Sequence, residues 1–208
     1  MNANTLANAM NIPLARAQAW AEPLSVAMIG SQIDNRLRVC AFLAQIAHES
    51  AGLSTVVENL NYGEAALRAT FKSRFTEAEF AQFARKPEQI ANRVYGGRMG
   101  NTEVGDGWKY RGRSPVQITG KNNYLACGKA LGLDLVSKPE LLEQPTYGAR
   151  AAAWFWETNG CNTLADQSGL DTAAQRARFS ELTKRINGGL NGLEDRLARY
   201  KLALSVVR

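Results

Sequence analysis

The dominant pattern along the chain is helical. Leu6, Ala9 and Met10 recur at helical spacing near the start, and Pro13 and Pro23 punctuate the segments that follow. A stronger helix is expected from Asp34 or Asn35, either of which can cap it. Leu37, Cys40, Phe42, Leu43, Ile46 and Ala47 supply its buried face, and Ser50-Ala51-Gly52 should end it. Leu53 to Tyr62, with Val56 beside Val57, reads as a short extended piece or a β-hairpin. Residues 64–95 return to helix, first at Ala65-Ala66-Leu67 and then at Thr76-Glu77-Ala78-Glu79, whose Thr-x-x-Glu is a capping box. Pro87 opens one more short helix that ends near Tyr95.

From Gly96 to Gly120 the character changes. Seven glycines, few aliphatic residues, and Trp108, Tyr110, Arg111 and Arg113 make an irregular loop of the kind that often carries function. Helices are expected again from about Asn122 to Leu131 and from Thr146 to Glu157. Gly188-Gly189 and Gly192 then break the chain before a final amphipathic helix, Leu193 to Val207. No internal repeat or low-complexity tract interrupts this order. The pattern predicts a mainly α protein with a minor short β hairpin. Residues 1–69 and 116–208 would form a large lobe, and 70–115 a smaller inserted helical lobe.

The chain has 208 residues, of which 45% are hydrophobic and 21% charged, so it can bury a core without disulfides or a structural metal. Cys40, Cys127 and Cys161 are scattered, and His48 is the single histidine, so neither a metal site nor a cofactor is expected. The cysteines read as small buried hydrophobes. The N-terminus lacks the charged and apolar regions of a signal peptide, and no apolar run reaches the roughly 20 residues that span a bilayer. A net charge of +6 favours polyanionic partners. No Lys/Arg run is interleaved with aromatics, so nucleic acid is not expected among them.

Three features carry chemistry. Glu49 follows His48 at the end of a core-facing helix, where partial desolvation would raise its pKa and suit it to general acid work. The alternative is a helix-end carboxylate partnered by an arginine. Glu58 lies nine positions further on. On one continuous helix the two carboxylates would stand about 13 Å apart along the axis on opposite faces, so sharing a cleft requires a turn between them. Gly52 with Ser54-Thr55 can supply it; otherwise Glu58 is a surface residue. The third feature is the segment Tyr110 to Gly120, with Arg111, Arg113, Gln117 and Thr119. Pro115 stiffens it, and Val116 and Ile118 alternate with Gln117 and Thr119, giving polar donors that suit a carbohydrate or simply a solvated loop.

His48-Glu49-Ser50, the Tyr110 to Thr119 segment, and Arg185-Ile186-Asn187-Gly188-Gly189 followed by Glu194-Asp195-Arg196 and Tyr200 together resemble glycoside hydrolase family 19, which contains chitinases and phage endolysins. The chain length and Glu58-Asn59-Leu60-Asn61-Tyr62 resemble the endolysin branch, as in phages of Gram-negative hosts. The resemblance implies a lysozyme-like α-helical fold with a catalytic cleft and an inverting mechanism. It makes Glu49 the general acid, Glu58 the base, and Thr119 a holder of the attacking water. Gln117, Asn123 and Asn187 match sugar-contacting positions, Arg196 matches an arginine near the acid, and Tyr110 and Trp108 are candidates for stacking on sugar rings. Inversion needs the two carboxyl groups roughly 6.5 to 9.5 Å apart.

The function so implied is an endolysin cutting β-1,4 bonds of peptidoglycan glycan strands. Such a protein is expected to be a monomer without membrane insertion, held in the host cytoplasm until a holin lets it reach the wall. Chitin hydrolysis is the near rival, a lytic transglycosylase the second, and a wall-binding module the reading without catalysis. Arg98, Arg111 and Arg113 lean towards the anionic wall polymer.

Overall fold

The computed structural model describes all 208 residues and contains twelve α-helices. In chain order they are α1 (Ala3–Met10), α2 (Leu14–Gly30), α3 (Arg36–Glu49), α4 (Glu64–Phe71), α5 (Glu77–Phe83), α6 (Pro87–Tyr95), α7 (Asp106–Lys109), α8 (Lys121–Leu131), α9 (Pro145–Thr158), α10 (Cys161–Asp166), α11 (Ala173–Asn187) and α12 (Leu193–Val206). The chain divides into two compact units. One comprises residues 1–56, 114–116 and 142–208; the other comprises 57–113 and 117–141. The second unit thus includes 57–69 and 117–141 besides nearly all of the 70–115 segment.

In the first unit α3 is the central element. Asn35 caps it, its side-chain oxygen accepting the Arg38 N–H at 3.0 Å. Every residue from Cys40 to Ala47 is buried, so the helix is enclosed on all sides rather than along one stripe. Its alanines leave room for α12 and α10 to approach, and Phe42 meets Trp156 of α9 edge-on at 5.3 Å. A polar residue inside such a helix must find partners, and Gln45, 1% exposed, is that residue. Phe179 of α11 stacks on Tyr200 of α12 with ring centres 4.6 Å apart.

Helix α2 does not break at Pro23 but runs through it. The missing N–H costs about 3 kcal/mol. Burial of Trp20 and Leu24 on either side, each contributing about 1.5 to 3 kcal/mol, outweighs that cost. The expected hairpin over 53–62 is also absent. The Ser50 carbonyl accepts the N–H groups of Ser54 and Thr55, so the chain is still coiling there and too few residues remain for two strands. What forms instead is a pair of isolated antiparallel bridges, Val57 with Arg113 and Arg113 with Ile118. Helices α10 and α11 lie where no helix was anticipated, and α11 opens on a Thr172–Gln175 capping box.

The second unit has its own core of Leu60, Leu67, Phe75, Phe80, Ile90, Ala91 and Val94 from α4 to α6 and the segment before them. The Thr76–Glu79 capping box is present at the start of α5, and Pro87 occupies the first turn of α6. The glycine-rich loop contains only the single turn α7 before α8 begins. All three cysteines are buried and none forms a disulfide; burial pushes the thiol of Cys40 up to about 11 and that of Cys161 up to about 12.

Candidate active site

Glu49 is the last residue of α3. Directly after it the chain reverses through three successive left-handed residues, Ala51, Gly52 and Leu53, with φ of 47°, 66° and 62°. Two of these carry side chains, a conformation that costs on the order of 1 to 3 kcal/mol per residue. Ser50 helps to hold it, since its hydroxyl accepts the Leu53 N–H at 2.8 Å while Arg16 donates to the Gly52 carbonyl at 3.1 Å. A single helix through Glu49 and Glu58 is therefore ruled out, and the turn that the paired-carboxylate reading requires is present.

The Glu49 side chain is partly exposed, and its Oε1 accepts from Arg196 Nη2 at 2.5 Å. Arg196 itself is buried, 1% exposed, and its other nitrogens are also occupied. Nη1 donates to Gln45 Oε1 at 2.5 Å, and Nε donates to the Asn191 carbonyl at 3.3 Å. Gln45 in turn donates to Thr183 Oγ1 at 3.0 Å. Asn187, at the end of α11, donates to the same Asn191 carbonyl at 3.0 Å and accepts the Gly189 N–H at 2.8 Å. In this unit Glu49, Arg196 and Asn187 thus belong to one connected network, and the arginine alternative considered for Glu49 is part of the same arrangement. A guanidinium held at three points fixes the carboxyl it touches.

In the second unit Glu58 is gripped on both oxygens. Tyr95 Oη donates to Oε1 at 2.6 Å, and the Gly112 N–H donates to Oε2 at 3.2 Å. The Glu58 N–H also donates to the Gly112 carbonyl at 2.9 Å. The Tyr95 phenol is pushed well above its usual range, first by burial and then by the adjacent Glu58 carboxylate, so it remains a donor. A Cβ at position 112 would lie 2.3 Å from Gln117 Oε1 and 3.3 Å from Glu58 Cβ, so any larger residue there would push the Gln117 side chain aside. A carboxylate held by two donors with its remaining lone pairs open can orient a water and take its proton.

Gln117 sits beside this group with a left-handed backbone, φ 55°. Thr119 is half-buried and donates through Oγ1 to the Gln117 carbonyl at 3.0 Å. Asn123, exposed on α8, donates to the Thr119 carbonyl at 2.8 Å. Glu58, Gln117, Thr119 and Asn123 thus share one polar neighbourhood. Tyr110 does not join them. It is 1% exposed, lies 5.4 Å from Tyr124 and donates to the Val136 carbonyl, so its ring is a core element with no face to offer a sugar. Trp108 has its ring covered by the Arg111 guanidinium at 3.7 Å. Arg113 is 4% exposed and bound to the Lys109 carbonyl and Tyr124 hydroxyl, which removes it from any rim that could meet an anionic polymer.

Three partners were invisible in the sequence. Tyr95 lies 37 positions from Glu58, and Gln45 and Thr183 are separated by 138, so no local pattern announces them. A glutamine inside the otherwise apolar run 40–47 of α3 was the one available signal. No group of three or more His, Cys, Asp or Glu stands together to hold a metal.

Residues 13–198 match the family model described as chitinase class I of glycoside hydrolase family 19. A glycosyl hydrolase family 19 domain-containing protein of Haemophilus influenzae is 41% identical over 170 residues, covering 80% of this chain and 78% of that one. Endochitinase 1 of Theobroma cacao is 31% identical over 196 residues and 84% of this chain, which spans only 55% of that longer protein. A chitinase C mutant of known structure shares the fold with a TM-score of 0.60 at 21% identity, covering 99% of this chain and 77% of that one. The chain belongs to glycoside hydrolase family 19 and has that family's lysozyme-like, mainly helical fold.

Proposed function

We propose that the protein is an endolysin-type muramidase that hydrolyses β-1,4 bonds of peptidoglycan with inversion. The observation that carries the reading is the pair of differently held carboxyl groups. Glu49 is fixed by a buried, triply bonded arginine, and Glu58 by a phenol and a backbone N–H. In the proposed chemistry Glu49 protonates the leaving glycosidic oxygen as the C1–O bond breaks. Glu58 takes a proton from a water that attacks C1 from the opposite face, and Thr119 helps to hold that water. Gln117, Asn123 and Asn187 bind the sugars, and Arg196 positions the acid.

A net charge of +6 supports an anionic wall polymer over neutral chitin, and Arg98 is the exposed cation of the three arginines considered for that preference. Chitin hydrolysis is the second reading, supported by likeness to endochitinases. No helix is long and apolar enough to cross a membrane. In the proposed phage setting, a holin made by the same phage would let the protein pass from the producing cytoplasm to the wall.

Purified sacculi and colloidal chitin digested in parallel decide the matter. Release of muropeptides ending in a reducing N-acetylmuramic acid, with α-anomeric product appearing first, is expected. Anhydro-muramic products would identify a lytic transglycosylase, and turnover of chitin alone would make the protein a chitinase. Glu49→Gln and Glu58→Gln should each abolish release with the helical circular dichroism intact, and near-wild-type release by Glu49→Gln would overturn the assignment of the acid.

A further inference from the structure

The end of α3 meets the start of α12 in two adjacent rungs. Glu49 accepts from Arg196 in one. In the other, one residue earlier on each helix, His48 Nδ1 stands 2.6 Å from Oδ2 of Asp195. Burial acts to raise the Asp195 carboxyl, but bonds from Arg199 and His48 outweigh it and hold the group below the usual range. An ionised carboxylate only accepts, so the proton of this contact lies on Nδ1.

The imidazole is also confined from above. A Cβ placed on Gly192 would lie 2.2 Å from His48 Cε1 and 2.5 Å from Nε2, so the backbone of that glycine lies against the ring. Gly192 is the N-cap of α12, in a left-handed conformation with φ 70°, and supplies no side chain to cap the helix. The charged groups facing the ring are Asp195 and Arg199, its second donor, from α12, with Glu49 and Arg196 in the neighbouring rung. The end of α1 brings Met10 and Asn11 beside Asp195 and Arg199.

Helix α12 therefore begins without a side-chain cap, and its first turn is located by what it grips. We propose that His48 is a positioning residue for the Glu49 carboxyl. Through Asp195 and Gly192 it holds the start of α12 in register with the end of α3, so that Arg196 reaches Glu49 in one geometry. The inference rests on the reading of Glu49 as the acid. Each residue of helix advances the side chain by about 100°, so a small rotation of this turn would carry the Arg196 guanidinium away from the carboxyl. A misplacement of about 1 Å at a reacting group can cost on the order of 100-fold in rate.

The test is steady-state kinetics on a soluble glycan substrate with His48→Ala, Asp195→Asn, their combination, Arg199→Ala and Glu49→Gln. The two single changes should each lower kcat by about tenfold while KM stays within about twofold, as expected of a displaced reacting group. The combination should be no slower than the worse single variant, because both break the same rung. Arg199→Ala should lower kcat less than either His48→Ala or Asp195→Asn, since it leaves the His48 bond intact. As His48 is the only histidine, its imidazole nitrogen resonances report the rung directly, and Asp195→Asn should shift Nδ1 even if kinetics cannot be measured. Wild-type kcat in both single variants, multiplicative losses in the combination, an equal loss in Arg199→Ala, or an unmoved imidazole resonance would each overturn the proposal. Activity surviving in Glu49→Gln would instead overturn the acid assignment on which it rests.

Discussion

Replacing Gln45 by leucine should destabilise the first unit well beyond what the similar size of the two side chains suggests. Gln45 is 1% exposed and joins two buried groups, accepting from Arg196 Nη1 at 2.5 Å and donating to Thr183 Oγ1 at 3.0 Å. A hydrogen bond to a charged partner contributes about 1.5 to 3 kcal/mol, and an uncompensated buried hydroxyl costs about 1 kcal/mol more. Leucine gains back little, because the site is already dry and the guanidinium would face methyl groups. A loss of about 3 kcal/mol follows, corresponding to a fall in Tm of about 6 to 12 °C for a chain of this size. Thermal melts followed by helical circular dichroism, with urea denaturation as a second measure, give the number. Thr183→Val alone should cost about 1 to 2 kcal/mol by stranding the Gln45 amide. Adding it to Gln45→Leu should recover about 1 kcal/mol, since it removes the hydroxyl left without a partner. A Gln45→Leu protein within about 0.5 kcal/mol of wild type, the size of an ordinary surface change, would refute the view that this network holds Arg196. So would fully additive losses in the double variant.

Tyr95→Phe removes one donor from Glu58, and kcat should fall while the Gly112 bond keeps the carboxylate in place; unchanged turnover would deny Tyr95 a part in holding the base. Thr119→Ala should slow turnover less than either glutamate change, and a complete loss would show that Thr119 does more than help to hold water. With burial raising Cys40 to about 11 and Cys161 to about 12, neither thiol should react with an aromatic disulfide reagent at pH 8 until the protein is unfolded. Prompt labelling of the native protein would contradict their burial. The Arg38 hydrogen bond holds Asp166 below the usual carboxylate range. Its contribution is therefore complete above an unfolded value of about 4 and is lost as pH falls through the lower folded value. Asp166→Asn should flatten the decline of Tm with acid below about pH 4, and an unchanged slope would count against the pair.

Local pattern alone accounts for much of the fold. The Asn35 cap, the Thr76–Glu79 capping box, Pro87 in the first turn of α6 and the glycine break before α12 are short-range signals, and each occurs as the chain suggests. The limits of local reading are equally physical. Helix α2 continues through Pro23 because burial on its inner face outweighs a missing hydrogen bond, and that burial depends on neighbours distant in sequence. Likewise Val57 pairs with Arg113 rather than within its own segment.

The same division holds for the candidate site. The resemblance to family 19 singled out Glu49, Glu58, Thr119 and Arg196, and the spacing of the two glutamates required a turn between them. Only the tertiary structure decided what holds those carboxyl groups: Arg196 anchored through Gln45 and Thr183, and Tyr95 with the Gly112 N–H. It also took Tyr110 and Arg113 out of the site by burying them. Periodicity identifies which residues can face a core or carry a proton, because those are properties of single side chains and their near neighbours. Which side chain lies against which depends on packing between distant elements, as between Gln45 and Arg196, 151 residues apart, and no local sequence pattern encodes that meeting.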